Sequence, residues 1–229
     1  MDKHPERIRT MFDAVAATYR VMNRLITFGG DARVRRLAVR LARLAPGRTL
    51  LDVATGTGDI IETALAAQPQ VRATGVDVSA PMLLRAQRRP RLSSARFVQA
   101  DALALPFGDA TFDRVTSGYL IRNVSDVEAC FAEQFRVLQP GGRVVCVETT
   151  PPAGPGAPLI RAHLRFVVPL LGRLVSRAPG AYRYLPESTR HFKPPQEVTR
   201  IMERVGFRRV GVRKALLGTI AIHSAVKPR

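Results

Sequence analysis

Nine residues, Leu51 to Asp59 (LDVATGTGD), constrain this chain more than any other stretch, because an apolar run ends in an acid and passes straight into glycines. That order predicts a buried strand, a tight turn and the start of a helix. Small residues at Ala54, Gly56 and Gly58 let the backbone approach a bound nucleoside closely. The free N–H groups of the following helix point to the same place. Asp77, in RATGVDVS about 19 residues after Gly58, stands where a second strand would return beside the first and offer a carboxylate to a ribose diol.

Two cofactor classes use this arrangement. A dinucleotide fingerprint G-x-G-x-x-G, aligned from Ala54, needs a third small residue for close helix–strand packing, and Asp59 occupies that position. The departure favours S-adenosylmethionine, which has no pyrophosphate to cradle. A plain glycine-rich turn is the structural alternative, but Asp52 before the loop and Asp77 after it agree with the nucleoside reading.

Strand-like runs at 49–54, 71–78, 95–100, 112–118 and 143–149 alternate with helical patterns near 58–67, 80–89 and 125–138. Ser79 and Pro81 mark one helix start and Ser125-Asp126 another, and Pro140-Gly141-Gly142 is read as stopping a helix before the fifth strand. This punctuation predicts a parallel, doubly wound sheet. At the end of the chain FRRVGVRKALL and GTIAIHSAVK read as an antiparallel hairpin turning at Gly218, which marks a methyltransferase sheet rather than a dinucleotide-binding one.

Length and hydrophobic content, 229 residues and 46%, suit one α/β domain. Its expected divisions are a helical lid (1–45), a cofactor-binding core (46–150), a substrate cap (151–195) and a last helix with the closing hairpin (196–229). The polar opening MDKHPERIRT carries no apolar signal region, so a cytoplasmic protein is expected. Cys130 and Cys146 read as small buried side chains, and four scattered histidines give no metal-ligand spacing.

The formal charge of +18, largely arginine, favours an anionic partner: nucleic acid, an acidic substrate or the anionic inner face of a membrane. Arginines scattered over the surface are the bland alternative. No interleaved aromatics suggest RNA binding, so nucleic acid is held as a minority reading. A non-catalytic membrane-associated binding protein on the same fold is a further one. The cap segment 159–175 is apolar but broken by Arg161, Arg165, Pro169 and Arg173, which excludes an ordinary membrane span of roughly 20 apolar residues. It either lines a tunnel for a lipid tail or packs on the sheet, and packing is the preferred expectation.

MFDAVAATYRVMN, LDVATGTGD, VQADALALPFGDATFD, IRNVSD, FRVLQPGGRVVCVE, YRYLPES and GTIAIH together resemble the ubiquinone/menaquinone biosynthesis C-methyltransferases of the UbiE/MenG type, over residues 11–226. The more specific pieces are Tyr19 with Met22-Asn23, Arg122-Asn123-Val124, Tyr182-x-Tyr184-Leu185, and Gly218 with Ala221-Ile222-His223. The resemblance implies a Rossmann-like α/β class I methyltransferase fold: a seven-stranded, mostly parallel sheet, helices on both faces and a closing antiparallel hairpin. It also implies methyl transfer from S-adenosylmethionine, which becomes S-adenosylhomocysteine, to a ring carbon of a lipid-soluble polyprenylated quinol. Demethylmenaquinol is the first choice, the ubiquinone-pathway quinol the second and another phenol or lipid the third. Transient membrane contact and a homodimer are compatible with it.

By that resemblance Thr57, Asp77, Asp101 and Ala102 hold the cofactor, with Asp52, Ala54, Thr55, Gly56, Gly58, Val78, Met82, Ser117 and Gly118 completing its site and no metal required. Asp77 suits the ribose, and Asp101 can accept from the adenine amino group or cap a helix. Gly118 stands where Ser is usual, with Ser117 one residue earlier. Arg122, Asn123, Tyr182 and His191 are the catalytic candidates, and Tyr19, Met22, Asn23, Tyr119, Arg122, Tyr182 and Tyr184 the acceptor candidates. An arginine, with a pKa of roughly 12.5 or more, is a poor base, so Arg122 is assigned to stabilising the developing oxyanion and orienting a water. A salt bridge to Asp126 is its structural alternative. Asn123 is expected to fix the turn, and packing is the alternative for the tyrosines and His191. Departures from the family pattern, at Arg20, Arg33-Val34-Arg35 and Thr149, fall on the acceptor side.

Overall fold

The computed structural model describes residues 5–152, 154–175 and 179–229. In chain order it has helices α1 (Pro5–Val15), α2 (Tyr19–Ile26) and α3 (Asp31–Ala42), then β1 (Thr49–Val53), α4 (Asp59–Ala67), β2 (Arg72–Asp77), α5 (Ala80–Gln87), β3 (Arg96–Gln99), β4 (Phe112–Gly118), α6 (Val127–Val137) and β5 (Leu138–Thr149). Three cap helices follow, α7 (Ala157–Ala162), α8 (Val168–Val175) and α9 (Pro179–Arg190), with a π-helical turn at His163–Val167 joining the first two. Helix α10 (Pro195–Val205) and strands β6 (Arg208–Ala215) and β7 (Ile220–Val226) close the chain. The strands form one sheet in the order β3-β2-β1-β4-β5-β7-β6, parallel except that β7 runs antiparallel to both neighbours. This is the class I methyltransferase architecture.

Local chemistry explains where the elements begin. The interior strand β1 is buried from Leu50 to Val53, as a parallel strand covered on both faces must be, with Asp52 its one acid. Ser79 caps α5 by accepting the Met82 N–H, and Asp126 caps α6 by accepting those of Glu128 and Ala129. Gly206, at φ +116°, ends α10 in a left-handed conformation that a side chain would strain. The main core lies between the sheet and α6 with α10, where Phe207 sits edge-on to Phe131 and Phe135.

Three expectations change. The fifth strand starts at Leu138, because Pro140-Gly141-Gly142 is drawn into it: Gly141 N–H donates to Lys227 O and Lys227 N–H to Gly142 O. Helix α3 packs against β4, β5 and β7, so within 5–44 only α1 and α2 stand over the strand ends. The cap segment does not lie chiefly on the sheet; α8 packs against α9 and α2, joining cap to lid. Cys130 and Cys146 are free and buried, and burial pushes the Cys130 thiol up to about 12. No described helix is long and apolar enough to cross a membrane.

Candidate active site

The carboxyl ends of β1, β2 and β4 open into a groove lined by Ala54, Gly56, Asp77, Val78, Asp101 and Gly118, with Met82, Ala102 and Leu103 adding apolar surface. Ala54 and Gly56 both have positive φ, +57° and +54°, which turns the backbone at the strand end. A methyl placed on Gly56 would face only the Tyr19 ring, 3.8 Å away, so the bare backbone forms the groove floor. Gly58 is packing-limited instead: a methyl there would lie 2.5 Å from Leu92.

Asp77 accepts the Gly56 N–H at 2.8 Å and the Ser79 N–H at 2.9 Å, one on each carboxylate oxygen. Burial raises its pKa while these donors oppose the rise. Each oxygen keeps a lone pair for a hydroxyl. Asp101 is exposed, and its Oδ1 accepts the Leu103 N–H at 2.9 Å, closing a turn and not capping a helix. The lid is tied over this groove: Asp13 of α1 accepts from the Ser79 hydroxyl, and Arg20 of α2 reaches Asp59 at 3.2 Å and Glu62 at 3.7 Å.

Beyond the groove lies an apolar cavity of about 690 Å3 between lid, cap and β6–β7 turn, bordered by Ile26, Ile160, Leu164 and Ile220. Tyr19, Tyr119, Asn123 and Phe12 border both spaces. At this junction Tyr119 has φ +58°, a left-handed conformation for a bulky residue, with its N–H donated to Val147 O at 2.7 Å. The Arg122 guanidinium lies 5.3 Å from the Tyr119 ring centroid.

Arg122 is buried and paired with the buried Glu148, whose Oε2 also accepts the Arg122 backbone N–H at 3.2 Å. Burial opposes the guanidinium charge, but the Glu148 carboxylate beside it outweighs burial and holds its pKa above the ordinary value. Its Nε is buried without a hydrogen-bond partner, an orphaned donor in a residue that borders the cavity. Burial likewise raises the phenols of Tyr19, Tyr119 and Tyr184, which therefore stay protonated and act as donors.

Asn123 fixes the turn, its Nδ2 donating to Tyr119 O at 2.7 Å, and its Oδ1 accepts from the Tyr184 hydroxyl at 3.1 Å. Tyr182 borders the cavity and is buried against Gly172, where any side chain on the glycine would collide with its ring. The side chain of Leu185 lies outside what the structure describes.

Several candidates are not brought to the site. His191 is exposed at the end of α9 with Nδ1 on Glu187 O at 3.0 Å, away from both cavities. Met22 is fully buried in the apolar contact between lid and cap, because the α2 face that carries it turns inward. Ser117 points into the core towards Gln134 at 3.4 Å, and Thr57 bonds Asp59 at 3.1 Å while its carbonyl accepts from Arg89. Asp52 lies beneath the floor, accepting from Thr55 and Thr116 hydroxyls, both at 2.7 Å. Burial raises it to about 7. The partner of Arg122 is Glu148 and not Asp126, which is occupied in capping α6.

Glu148 is therefore the residue the motif reading passed over; an acid ending β5, level with an arginine just after its neighbour β4, was its signal. His163 was also missed: it borders the cavity with Nε2 on Ile26 O at 3.1 Å, and its ring lies tilted against Phe28 with centroids 5.3 Å apart. Among the described residues no group of three or more His, Cys, Asp or Glu is placed to hold a metal ion.

Comparison with known proteins follows the same line. The model of the ubiE/COQ5 methyltransferase family matches residues 1–227. A Thermus thermophilus protein named demethylmenaquinone methyltransferase is 43% identical over 95% of this chain and 100% of its own length. A Desulfotalea psychrophila protein named ubiquinone/menaquinone biosynthesis C-methyltransferase UbiE is 42% identical, covering 96% and 90%. Among solved structures, Haemonchus contortus phosphoethanolamine N-methyltransferase 2 in complex with S-adenosyl-L-methionine aligns with a TM-score of 0.64 at 18% identity, over 86% of this chain and 53% of that one. At that identity the likeness concerns the fold alone.

Proposed function

This chain belongs to the ubiE/COQ5 methyltransferase family and is an S-adenosylmethionine-dependent C-methyltransferase, and from that premise we propose demethylmenaquinol as its acceptor. The ubiquinone-pathway quinol is the second choice. The observation that carries the reading is the unpartnered Nε of Arg122, a residue that borders an apolar cavity of ligand size and lies beside Tyr119, which the cavity shares with the groove.

The residues of the groove fit the cofactor chemically. Asp77 would take the ribose hydroxyls, Asp101 the adenine amino group through its second oxygen, and Met82, Val78 and Leu103 the adenine faces. The bare backbone at Ala54 and Gly56 leaves room for the remainder. When bound there, the cofactor supplies an electrophilic methyl group.

The acceptor would enter from the apolar cavity with one hydroxyl towards Arg122 and Tyr119. As that hydroxyl loses its proton, Arg122 Nε and the protonated Tyr119 phenol can each donate to the oxygen, stabilising the charge that activates the neighbouring ring carbon. A new C–C bond then forms as the methyl–sulfur bond breaks. Loss of the ring C–H proton restores aromaticity as the oxygen regains a proton, so one proton is released overall. Arg122, held protonated by Glu148, is no base; it orients a water that carries the proton away. The oxidised quinone has no hydroxyl to ionise and cannot follow this route. Methyl transfer from labelled cofactor to reduced and to oxidised demethylmenaquinone tests the scheme: incorporation into the reduced form alone supports it, and equal incorporation contradicts it.

Because such an acceptor resides in a bilayer, the reading also places the enzyme in transient contact with the anionic inner face of the membrane, as a peripheral protein.

A further inference from the structure

The mouth of the apolar cavity is ringed by large apolar side chains exposed to solvent, on three segments far apart in sequence. Phe28 follows α2, Leu159 and Phe166 stand on the cap, and Leu217 tips the β6–β7 turn; they are 84%, 78%, 65% and 88% exposed, and all border the cavity. Leu170 and Leu174, 55% and 74% exposed, extend the same helical stripe along α8 beyond the cavity. The cap is thus apolar on two sides. Ile160, Leu164, Val168 and Leu171 turn inward, and the second stripe faces outward, covered by no described residue.

The turn that carries Leu217 closes the β6–β7 hairpin. Leu216, Leu217 and Gly218 all have positive φ, a conformation that costs leucine energy, and the turn closes through Gly218 N–H to Ala215 O at 3.0 Å. Positive φ at two consecutive residues suits the twist of the β6–β7 hairpin, so the turn holds Leu217 in solvent at a fixed position.

Charge completes the pattern. Arg24 on α2, Arg161, Arg165 and Arg173 on the cap, and Lys214 on β6 are exposed, and none forms an ion pair with a described residue. Arg165 lies 5.5 Å from the centroid of the exposed Phe166 ring, cation beside apolar wedge. Apolar side chains flanked by unpaired cations match the two layers of an anionic bilayer surface: acyl chains for the leucines and phenylalanines, phosphates for the arginines.

We infer that this rim docks on an anionic phospholipid surface, the mouth of the cavity facing the bilayer, so that a lipid acceptor passes from acyl chains to Arg122 without crossing water. The inference deepens the quinol reading, but its first test does not depend on it. Flotation with vesicles of phosphatidylcholine alone, or with a third phosphatidylglycerol, reads binding with no methyl transfer. The wild-type chain is expected to bind the anionic vesicles at least ten-fold more tightly, with binding lost at high salt. Leu217→Asp, and separately Leu170→Asp with Leu174→Asp, should weaken it ten-fold or more at an unchanged unfolding midpoint. The Leu170/Leu174 pair lies outside the cavity and should methylate a short-tailed quinol in solution at the wild-type rate, yet lose turnover of a long-tailed quinol in vesicles.

Equal binding to both vesicle types, or full anionic binding by the aspartate variants, overturns the proposal. So does failure to float combined with self-association that Leu217→Asp abolishes, which would make the rim an interface between two copies. Failure of methyl transfer with flotation intact would instead reject the quinol reading and leave the docking surface standing.

Discussion

Glu148, at the carboxyl end of β5, holds Arg122 twice: one carboxylate oxygen pairs with the guanidinium and the other accepts the Arg122 backbone N–H at 3.2 Å. The arginine proposed to face the acceptor is thereby fixed in place and kept charged by a neighbouring strand. Glu148→Gln retains the shape and removes the charge. We expect kcat to fall roughly 10- to 100-fold with the cofactor KM within about two-fold, the pattern of a lost transition-state interaction. Glu148→Ala should also lower stability by about 3–5 kcal/mol, because the buried guanidinium is left unpaired. Steady-state kinetics and denaturant unfolding separate the two effects.

Asp77, the proposed ribose ligand, organises the glycine loop by accepting the Gly56 N–H. Asp77→Asn replaces one acceptor with a donor facing a backbone N–H. Cofactor affinity measured by calorimetry should drop about 10- to 100-fold, equivalent to roughly 1.4–2.8 kcal/mol. An unchanged affinity would remove Asp77 from the cofactor site.

Burial raises the Asp52 carboxyl to about 7, so between its unfolded value near 4 and pH 7 the folded chain holds a proton that the unfolded chain releases. Its contribution to stability is therefore fully present at low pH and declines as pH rises through that window. Asp52→Asn should remove this dependence. The stability of the variant relative to wild type should increase between pH 4 and 7 and level off above, by up to about 4 kcal/mol. A difference independent of pH would show that Asp52 titrates normally.

The glycine-loop helix is braced by two arginines of unequal burial. Arg20 is half exposed in its contacts with Asp59 and Glu62, whereas Arg89 is largely buried, bonding Thr57 O and Asp59 and pairing with Glu62. Arg20→Ala should cost less than about 1 kcal/mol and Arg89→Ala about 2–4 kcal/mol in denaturant unfolding. Equal costs would mean that burial does not decide these pairs.

Much of this architecture was legible in the chain. The strands and their order of appearance follow from short apolar runs between turn residues, and Ser79 and Asp126 announced their helices by cap chemistry. What the chain did not disclose depends on which residues meet across the fold. Arg122 has an acid four positions on in Asp126, so local spacing pointed there; the sheet instead brings Glu148, from the next strand, to the guanidinium. Met22 stood among residues of a shared motif, but motif membership does not say which side of α2 faces the cavity. The cap segment was equally apolar for packing or for a tunnel, and only its docking against α2 and α9 gives one face to the cavity and leaves the other to solvent.

If Arg122, which borders the apolar cavity beside Tyr119, activates a reduced naphthoquinol for ring methylation, its removal must stop transfer and spare the cofactor. Labelled S-adenosylmethionine should therefore be offered with chemically reduced demethylmenaquinone or its benzoquinol counterpart to the wild-type chain and to Arg122→Ala. The expected product is a ring-methylated naphthoquinol, formed faster than the benzoquinol product, with the rate lowered at least 100-fold in Arg122→Ala while cofactor binding by calorimetry is retained. Tight cofactor binding with no transfer to either quinol, or transfer that Arg122→Ala leaves unchanged, would contradict it.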